Sequence, residues 1–401
     1  MSSTNATEGP LAGIKVIDVG ILVQGPQAAA LLCDMGAEVI KVELPNVGDQ
    51  ARYIVLGPDD FRSAYFNACN RGKRGLSLNL SDPDGAAILK RLIEDTDVLI
   101  SNFTADTLDE WGLGYEALSE INPALIWAAG NTFGPNGDDR DRKGADLAAQ
   151  CAGGLVMTTG RDGDPPSPVG VTIADHIGSL NMAAGILAAL HARASSGRGQ
   201  KVEVSLLGGQ IWAQAAEYTH YLMTGNVPGR SNYGHPLIRG LYRIYETQDG
   251  WFGLIGVPPN SIDELLISVE RPDMLVDERI ATLGTEEGRT WLLSELGRAF
   301  AKRTTDEWCA TFEGTSIRYA PVRDYDETAA DHNVWTNGYL TSGVDDQGDE
   351  QRVVGSPIHM SENPLEPGMR APSLGEHTDE ILSELGYTEP TIASLRERGI
   401  V

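Results

Sequence analysis

The stretch "VGVTIADHIGSLNMAAGILAALHARASSGRGQ" sets a single carboxylate, Asp175, between a loop marked by Pro and Gly and an apolar, alanine-rich segment. An Asp at such a junction most simply caps a helix, because its carboxylate accepts from the free N–H groups of the first turn. The same place suits covalent chemistry. The positive end of a helix favours the anion by about 0.3–1 kcal/mol. A carboxylate kept ionised, with no Lys or Arg near it in sequence, is a competent nucleophile. One residue can fill both roles.

Three further features carry chemistry. The loop "DDRDRKGAD", residues 138–146, mixes Arg140, Arg142 and Lys143 with Asp138, Asp139, Asp141 and Asp146. It reads either as a solvated loop with weak local ion pairs or as a clamp for an anionic ligand. The loop "NRGKRG", residues 70–75, supplies Arg71, Lys73 and Arg74. Two basic loops following strands of one sheet, on an acidic chain, could hold phosphate groups. The segment "VGILVQGP" lacks the GxGxxG fingerprint of dinucleotide folds. Glu43, however, ends the next strand, where such folds hold a ribose, so a nucleotide-dependent oxidoreductase stays open. His176 and His235 show no metal spacing. Cys33, Cys69, Cys151 and Cys309 are scattered, which argues against a disulfide framework or a zinc site. Free thiols point to a reducing cytoplasm.

The elements that must position these groups are legible from their patterns. "LAGIKVIDVG" reads as a buried strand, "GPQAAALLCDMGA" as a helix with Pro26 in its first turn, and "EVIKVE" as the next strand, together a βαβ unit. "SDPDGAAILKRLIEDTDVLISNF" is a helix opened at Ser81 or Asp82, followed by a strand, and "LIWAAGNTFG" is another strand. From Asp175 a helix runs to about Ala194, with Ile177, Leu180, Ala183, Ala184, Leu187 and Leu190 on its buried face. "QKVEVSLLGGQ" reads as a strand and residues 210–223 as helical. "TGNVPGRSNYGHP" is a loop. "IRGLYRIYETQDGWFGLIGV" is a hairpin opening a smaller α+β region, and two short amphipathic helices end the chain.

The 401 residues suggest two domains. A net charge of −26 excludes a nucleic-acid footprint. The apolar runs fall short of the ~20 residues that span a bilayer, and "MSSTNATEGP" is no signal peptide. No nucleic-acid or membrane partner is expected. Only seven lysines accompany 57 acidic residues. Such a surface suits a halophilic, high-salt cytoplasm, where the Debye length is about 3 Å and carboxylate repulsion is screened.

Taken in order, "LAGIKVIDVG…GP…LLCDMGAEVIKVE…GD", "NRGKRGLSLNL", "DVLISNF", "GILAAL…SGRGQKVEVSL" and "RAPSLGEHTDEIL" resemble the class III CoA-transferases of the formyl-CoA and carnitine CoA-transferase type. The resemblance implies an α/β fold with a Rossmann-like large domain taken from both chain ends, residues 1–225 and 326–401. A small domain at 226–325 and an interlocked, ring-like homodimer complete it. It implies Asp175 as nucleophile, and CoA contacts at Val23, Gln24, Arg74, Leu78, Asn102, Phe103 and Lys143. Asp146, Ala145, Tyr233 and His235 are implied to line the substrate site.

CoA is then a substrate; no tightly bound cofactor and no metal are expected. Two departures stand out. Glu110, beside Trp111, occupies a position often Arg in the family. "SNYGHPLIRG" replaces the glycine-run loop that covers the reacting centre of formyl-CoA transferases. Racemases and epimerases of this fold place a His where Ala145 stands, which disfavours that alternative. Arg71, Arg74, Arg140, Arg142, Arg239 and Arg243 could meet a distal carboxylate. The expected exchange runs from succinyl-CoA to a C4–C5 dicarboxylate such as mesaconate, malate or itaconate.

Overall fold

A computed structural model of the chain describes residues 9–232, 234–238, 241–257 and 261–401. Six short strands form a wholly parallel sheet: β1 (Lys15–Asp18), β2 (Glu38–Glu43), β3 (Arg74–Ser77), β4 (Val98–Ser101), β5 (Ile126–Asn131) and β6 (Lys201–Ser205). Their spatial order is β3-β2-β1-β4-β5-β6, the doubly wound arrangement. Register is fixed by Ile17 opposite both Ile40 and Leu99. Successive residues of a strand feed opposite faces. Val16, Val98, Ile100, Ile126 and Ala128 join the core under the helices Gln24–Asp34 and Ile173–Ser196. Ile17, Leu99 and Trp127 join the other core, with Leu89, Leu382, Ile392 and Leu395 from the helices Pro83–Ile93, Thr378–Glu384 and Glu389–Glu397. Burial on both faces explains why Val98–Ile100 reads as a continuous apolar run rather than an alternating one.

The chain leaves β1 toward one face and β4 toward the other: Ala28 and Leu32 lie in the first core, Leu108 and Leu113 in the second. A crevice opens at that switch point, outside the carboxyl ends of the strands. Helix Pro83–Ile93 begins as expected, with Asp82 accepting from the Asp84 N–H at 2.9 Å and Pro83 at the first helical position.

The chain divides into two compact units. One comprises Met1–Gly154, Val169–Ala213 and His332–Val401; the other comprises Leu155–Pro168 and Gln214–Asp331. These limits differ from the expected boundaries at 225 and 325. Side chains explain the reassigned segments. Arg230 donates to the carbonyls of Val156 and Asp164, tying 155–168 to the second unit. His235 pairs with Glu217, and Arg323 with Asp331. The second unit carries the antiparallel sheet β7 (Leu241–Glu246), β8 (Trp251–Val257) and β9 (Tyr319–Pro321). Its core is aromatic, with Phe252 stacked on Phe300, Phe312 and Tyr319 at 5.4–5.6 Å.

Local expectations needed correction in four places. "LLGGQ" is not strand but the start of a helix, Leu206–Ala213. The helical stretch 210–223 is broken at Gln214, and a second helix runs Ala215–Thr224. A hairpin of β10 (Leu340–Val344) and β11 (Glu350–Val354) was not expected, its strands being short and mostly polar. The buried face of helix Ile173–Ser196 is Gly178, Met182, Ala183, Ile186 and Ala189, while Leu180 is 51% exposed. Small residues on the inward face let this helix sit close to the sheet, so the larger side chains do not mark the core.

Candidate active site

Helix Ile173–Ser196 starts two residues before Asp175, and its N-cap, Thr172, makes no side-chain capping bond. Asp175 is therefore the third residue of the helix and not its cap. Asp146 supplies the cap from a distance: its Oδ1 accepts from the N–H of Ala174 at 2.7 Å and of Asp175 at 3.4 Å. Its Oδ2 accepts from Gln150 Nε2 at 2.6 Å, and Gln150 Oε1 accepts from the Val169 N–H at 3.0 Å. This chain of bonds locks the loop before the helix to the Asp146–Ala152 helix. Ala145 is the N-cap of that shorter helix and offers only a methyl group.

With the neighbouring N–H groups taken by Asp146, the Asp175 carboxylate has no hydrogen bond or ion pair with the described residues. Burial pushes it up to about 7, and the charge of Asp146 adds to the rise. Near neutrality the carboxylate exists in both protonation states, and the anion is poorly solvated. Such an anion is a strong nucleophile.

The side chain of Gln24 lies beside this helix. It is 3% exposed, and its Nε2 donor has no partner. Two glycines make room for it. A Cβ on Gly130 of β5 would lie 2.2 Å from Gln24 Oε1, and one on Gly178 would lie 2.9 Å from Nε2. Ser179 Oγ sits 2.8 Å from the carbonyls of both Gln24 and Asp175, linking the two helix starts. A buried amide donor without a partner is costly. His176 turns away from that amide: its Nδ1 meets Gln27 Oε1 and its Nε2 lies 3.3 Å from Thr172 Oγ1. Burial lowers its pKa against the pull of Asp146.

The switch-point crevice has a volume of about 260 Å³ and is lined by Val19, Ile21, Glu43, Leu78, Phe103 and Trp111 among others. Phe103 and Trp111 meet edge to face at 5.5 Å, making an apolar wall suited to a flat ring. Asn102 does not line the crevice directly. Its side chain accepts from the Ile21 N–H and donates to the Ile21 carbonyl, both at 2.7 Å. Val23 is buried as the N-cap of helix Gln24–Asp34.

Arg74 is not at the crevice. It opens β3 at the amino ends of the strands, away from the carboxyl ends where the crevice lies, and its guanidinium pairs with Glu380 at 2.9 Å and Glu384 at 2.8 Å. The "NRGKRG" loop precedes a strand rather than following one, so its cations are used internally. Arg71 grips the buried Asp34, and Lys73 donates to Asp18 at 2.7 Å. In the other basic loop, Arg140 pairs with Asp106 and Asp141, and Arg142 pairs with Asp139 over the Phe133 ring. Lys143 is exposed and has no ion pair with the described residues. The Glu43 carboxylate is held by Arg52 with two bonds of 2.7 Å, so the group an oxidoreductase would use on a ribose is already engaged by a guanidinium.

His235 lies in the second unit with Glu217 at 3.1 Å, and Arg243 donates there to the Asn232 carbonyl. Tyr233 and Arg239 lie outside the described residues. Among the described residues no cluster of three or more His, Cys, Asp or Glu could hold a metal ion. Sequence reading missed Ser179, Gly130, Gly178 and the buried charges under the first βα turn. The glycine inside "AAGN" was the available signal, since an isolated strand glycine marks a close approach.

Comparison with known proteins places this geometry in a family. The sequence profile of CoA-transferase family III matches residues 11–378. A succinate–glutarate CoA-transferase of Agrobacterium fabrum is 33% identical over 395 residues, covering 95% of this chain and 97% of the relative. A succinyl-CoA:mesaconate CoA-transferase of Haloarcula hispanica is 34% identical over 402 residues, covering 94% and 97%. The crystal structure of a CAIB/BAIF family protein from Brucella suis aligns with a TM-score of 0.83 at 32% identity, covering 94% of this chain and all of that one.

Proposed function

The chain belongs to CoA-transferase family III and is an enzyme of that class, and from that premise we propose that it exchanges CoA between succinyl-CoA and a C4–C5 dicarboxylate such as mesaconate, malate or itaconate. The observation that carries the chemistry is the Asp175 carboxylate: half-buried, without a cation, and raised to about 7. Its oxygen attacks the thioester carbonyl, forming a mixed anhydride and releasing the CoA thiolate. The thiolate attacks the aspartyl carbonyl, freeing the donor acid and leaving an aspartyl-CoA thioester. The acceptor carboxylate attacks that thioester and again expels the thiolate. The thiolate then takes the acceptor's acyl carbon and restores the Asp175 carboxylate. One thioester replaces another, so no external energy source enters.

Gln24 Nε2, buried and unpartnered, donates to the oxyanion that develops in each addition step. The adenine ring of CoA sits against Leu78, Phe103 and Trp111, and Lys143 faces its phosphates. Asp146 holds the first turn of the helix, and its charge keeps Asp175 basic. Racemisation is disfavoured because the methyl of Ala145 can neither give nor take a proton. The dicarboxylate assignment is supported by the succinate–glutarate and succinyl-CoA:mesaconate activities of the Agrobacterium and Haloarcula relatives. An interlocked homodimer in a high-salt cytoplasm completes the proposal. The exposed apolar side chains Leu180, Ile211 and Trp212 support a covering second copy, and the charge of −26 supports the salt.

The test incubates the enzyme with succinyl-CoA, traps with hydroxylamine or borohydride, and maps the modified residue by mass. A label on Asp175 is expected. Full exchange activity in Asp175→Ala would end the proposal.

A further inference from the structure

The first βα turn, Gly20–Val23, delivers Gln24 to its place, and the residue that takes the left-handed position in it is not a glycine but Leu22. Leu22 has φ 62°, a left-handed conformation that costs an L-residue a factor of about five to thirty in population. A network of four fully buried charges lies beneath this turn. Asp49 Oδ1 accepts from the Leu22 N–H at 2.9 Å and from the Ala51 N–H at 2.8 Å. Asp49 Oδ2 takes Lys41 Nζ at 2.8 Å, and Lys41 also donates to the Gly20 carbonyl. Asp18 accepts from the Gly20 N–H at 2.9 Å and is held by Lys73, which also donates to the Pro26 carbonyl. The side chains of Asp18, Lys41, Asp49 and Lys73 are 0% exposed. Two negative and two positive groups balance, so the cluster is neutral.

We propose that Asp49, held by Lys41, is a positioning residue of the reaction. Its carboxylate keeps Leu22 left-handed and so aims Gln24 between Gly130 and Gly178, beside the helix that carries Asp175. Hydrogen bonds from Asn102 fix Ile21, one residue earlier, but leave Leu22 free to rotate. Only Asp49 bonds the Leu22 amide among the described contacts. The burial of the cluster has a reason in this role: a carboxylate shielded from water holds its N–H partners more tightly than an exposed one. The inference rests on the transferase reading, because Gln24 matters only if an oxyanion develops near it.

The experiment is a cycle of variants in the full-length enzyme. Lys41→Met with Asp49→Leu removes the clamp while leaving no unpaired charge buried. Leu22→Gly is introduced with and without it, since glycine adopts the left-handed conformation at no steric cost. The expected result is a kcat loss of about five- to thirtyfold in the unclamped enzyme, with KM moved less than about threefold. Leu22→Gly is expected to recover at least fivefold of that loss after its own effect in the clamped enzyme is divided out.

An unchanged kcat in the folded unclamped enzyme, or a loss that Leu22→Gly leaves untouched, overturns the proposal, because a general loss of stability has no reason to respond to that residue. Should the double variant not fold, Asp49→Asn decides. Its carboxamide oxygen still accepts from Leu22, so kcat is expected within about threefold of the parent even as the melting temperature falls; a loss beyond tenfold overturns the role. Asp175→Ala, measured alongside, separates the two claims. If it keeps exchanging CoA, the transferase chemistry assigned to Asp175 fails, whereas the cycle is a ratio taken on whatever rate the parent shows.

Discussion

The raised pKa of Asp175 has a consequence for stability that Asp175→Asn exposes. In the unfolded chain the carboxyl titrates at its ordinary value of 3.8, and in the fold at about 7. Between those values the folded state keeps a proton that the unfolded state has lost. The wild type therefore loses stability as pH rises from about 4 to about 7, at about 1.4 kcal/mol per unit, for a total of about 4 kcal/mol. Above pH 7 the cost is constant, and below pH 4 it is absent. Asparagine carries no such cost. The stability difference between variant and parent should thus grow by about 3 kcal/mol between pH 5 and pH 9, in favour of the variant. Urea denaturation of both proteins at five pH values, at one salt concentration, measures it. A difference that stays flat across this range, or one that favours the parent at pH 9, would refute the reading of Asp175 as a buried, unpaired carboxylate.

Four further outcomes follow from the same geometry. On the proposed mechanism the Asp175 anion attacks, so kcat/KM for succinyl-CoA is expected to rise with pH through about 7, and Asp146→Asn, which keeps the helix-capping oxygen but removes a charge, to move that rise to lower pH; stopped-flow assays over pH 5–9 detect both. Gly130→Ala drives a methyl into the Gln24 amide and lowers kcat at least tenfold, whereas Gly297→Ala, within the helix Glu286–Phe300 and with nothing within 4 Å of the added methyl, serves as control for handling. Arg71→Ala breaks the buried pair with Asp34 and costs about 3–5 kcal/mol of stability without raising KM for the thioester, since that loop does not face the crevice. Glu110, next to Trp111, itself supplies no cation to a 3′-phosphate, so 3′-dephospho thioesters are expected to be used within about threefold of the CoA ester in kcat/KM; a hundredfold preference for CoA would contradict it.

The parallel strands, the helix opened by Asp82 and Pro83, and the βαβ start were all legible in the chain, because burial on both faces and capping chemistry are local signals. The position of Asp175 at a helix start was legible for the same reason: a carboxylate next to a long apolar helix is visible in one dimension. Its environment was not. Asp146 lies 29 residues upstream, yet it displaces Asp175 from capping and helps raise its pKa, and only the docking of two helix starts brings them together.

The basic loop 70–75 shows the opposite limit. Its charges look free in sequence, but Arg71, Lys73 and Arg74 are consumed by Asp34, Asp18, Glu380 and Glu384, the last two more than 300 residues away. Glu43 likewise looked available until folding set Arg52 against it. Composition and periodicity determined which elements form and which residue types could react. Which charges remain unpaired, and therefore reactive, was decided by tertiary contacts, because pairing depends on distances that a sequence does not contain.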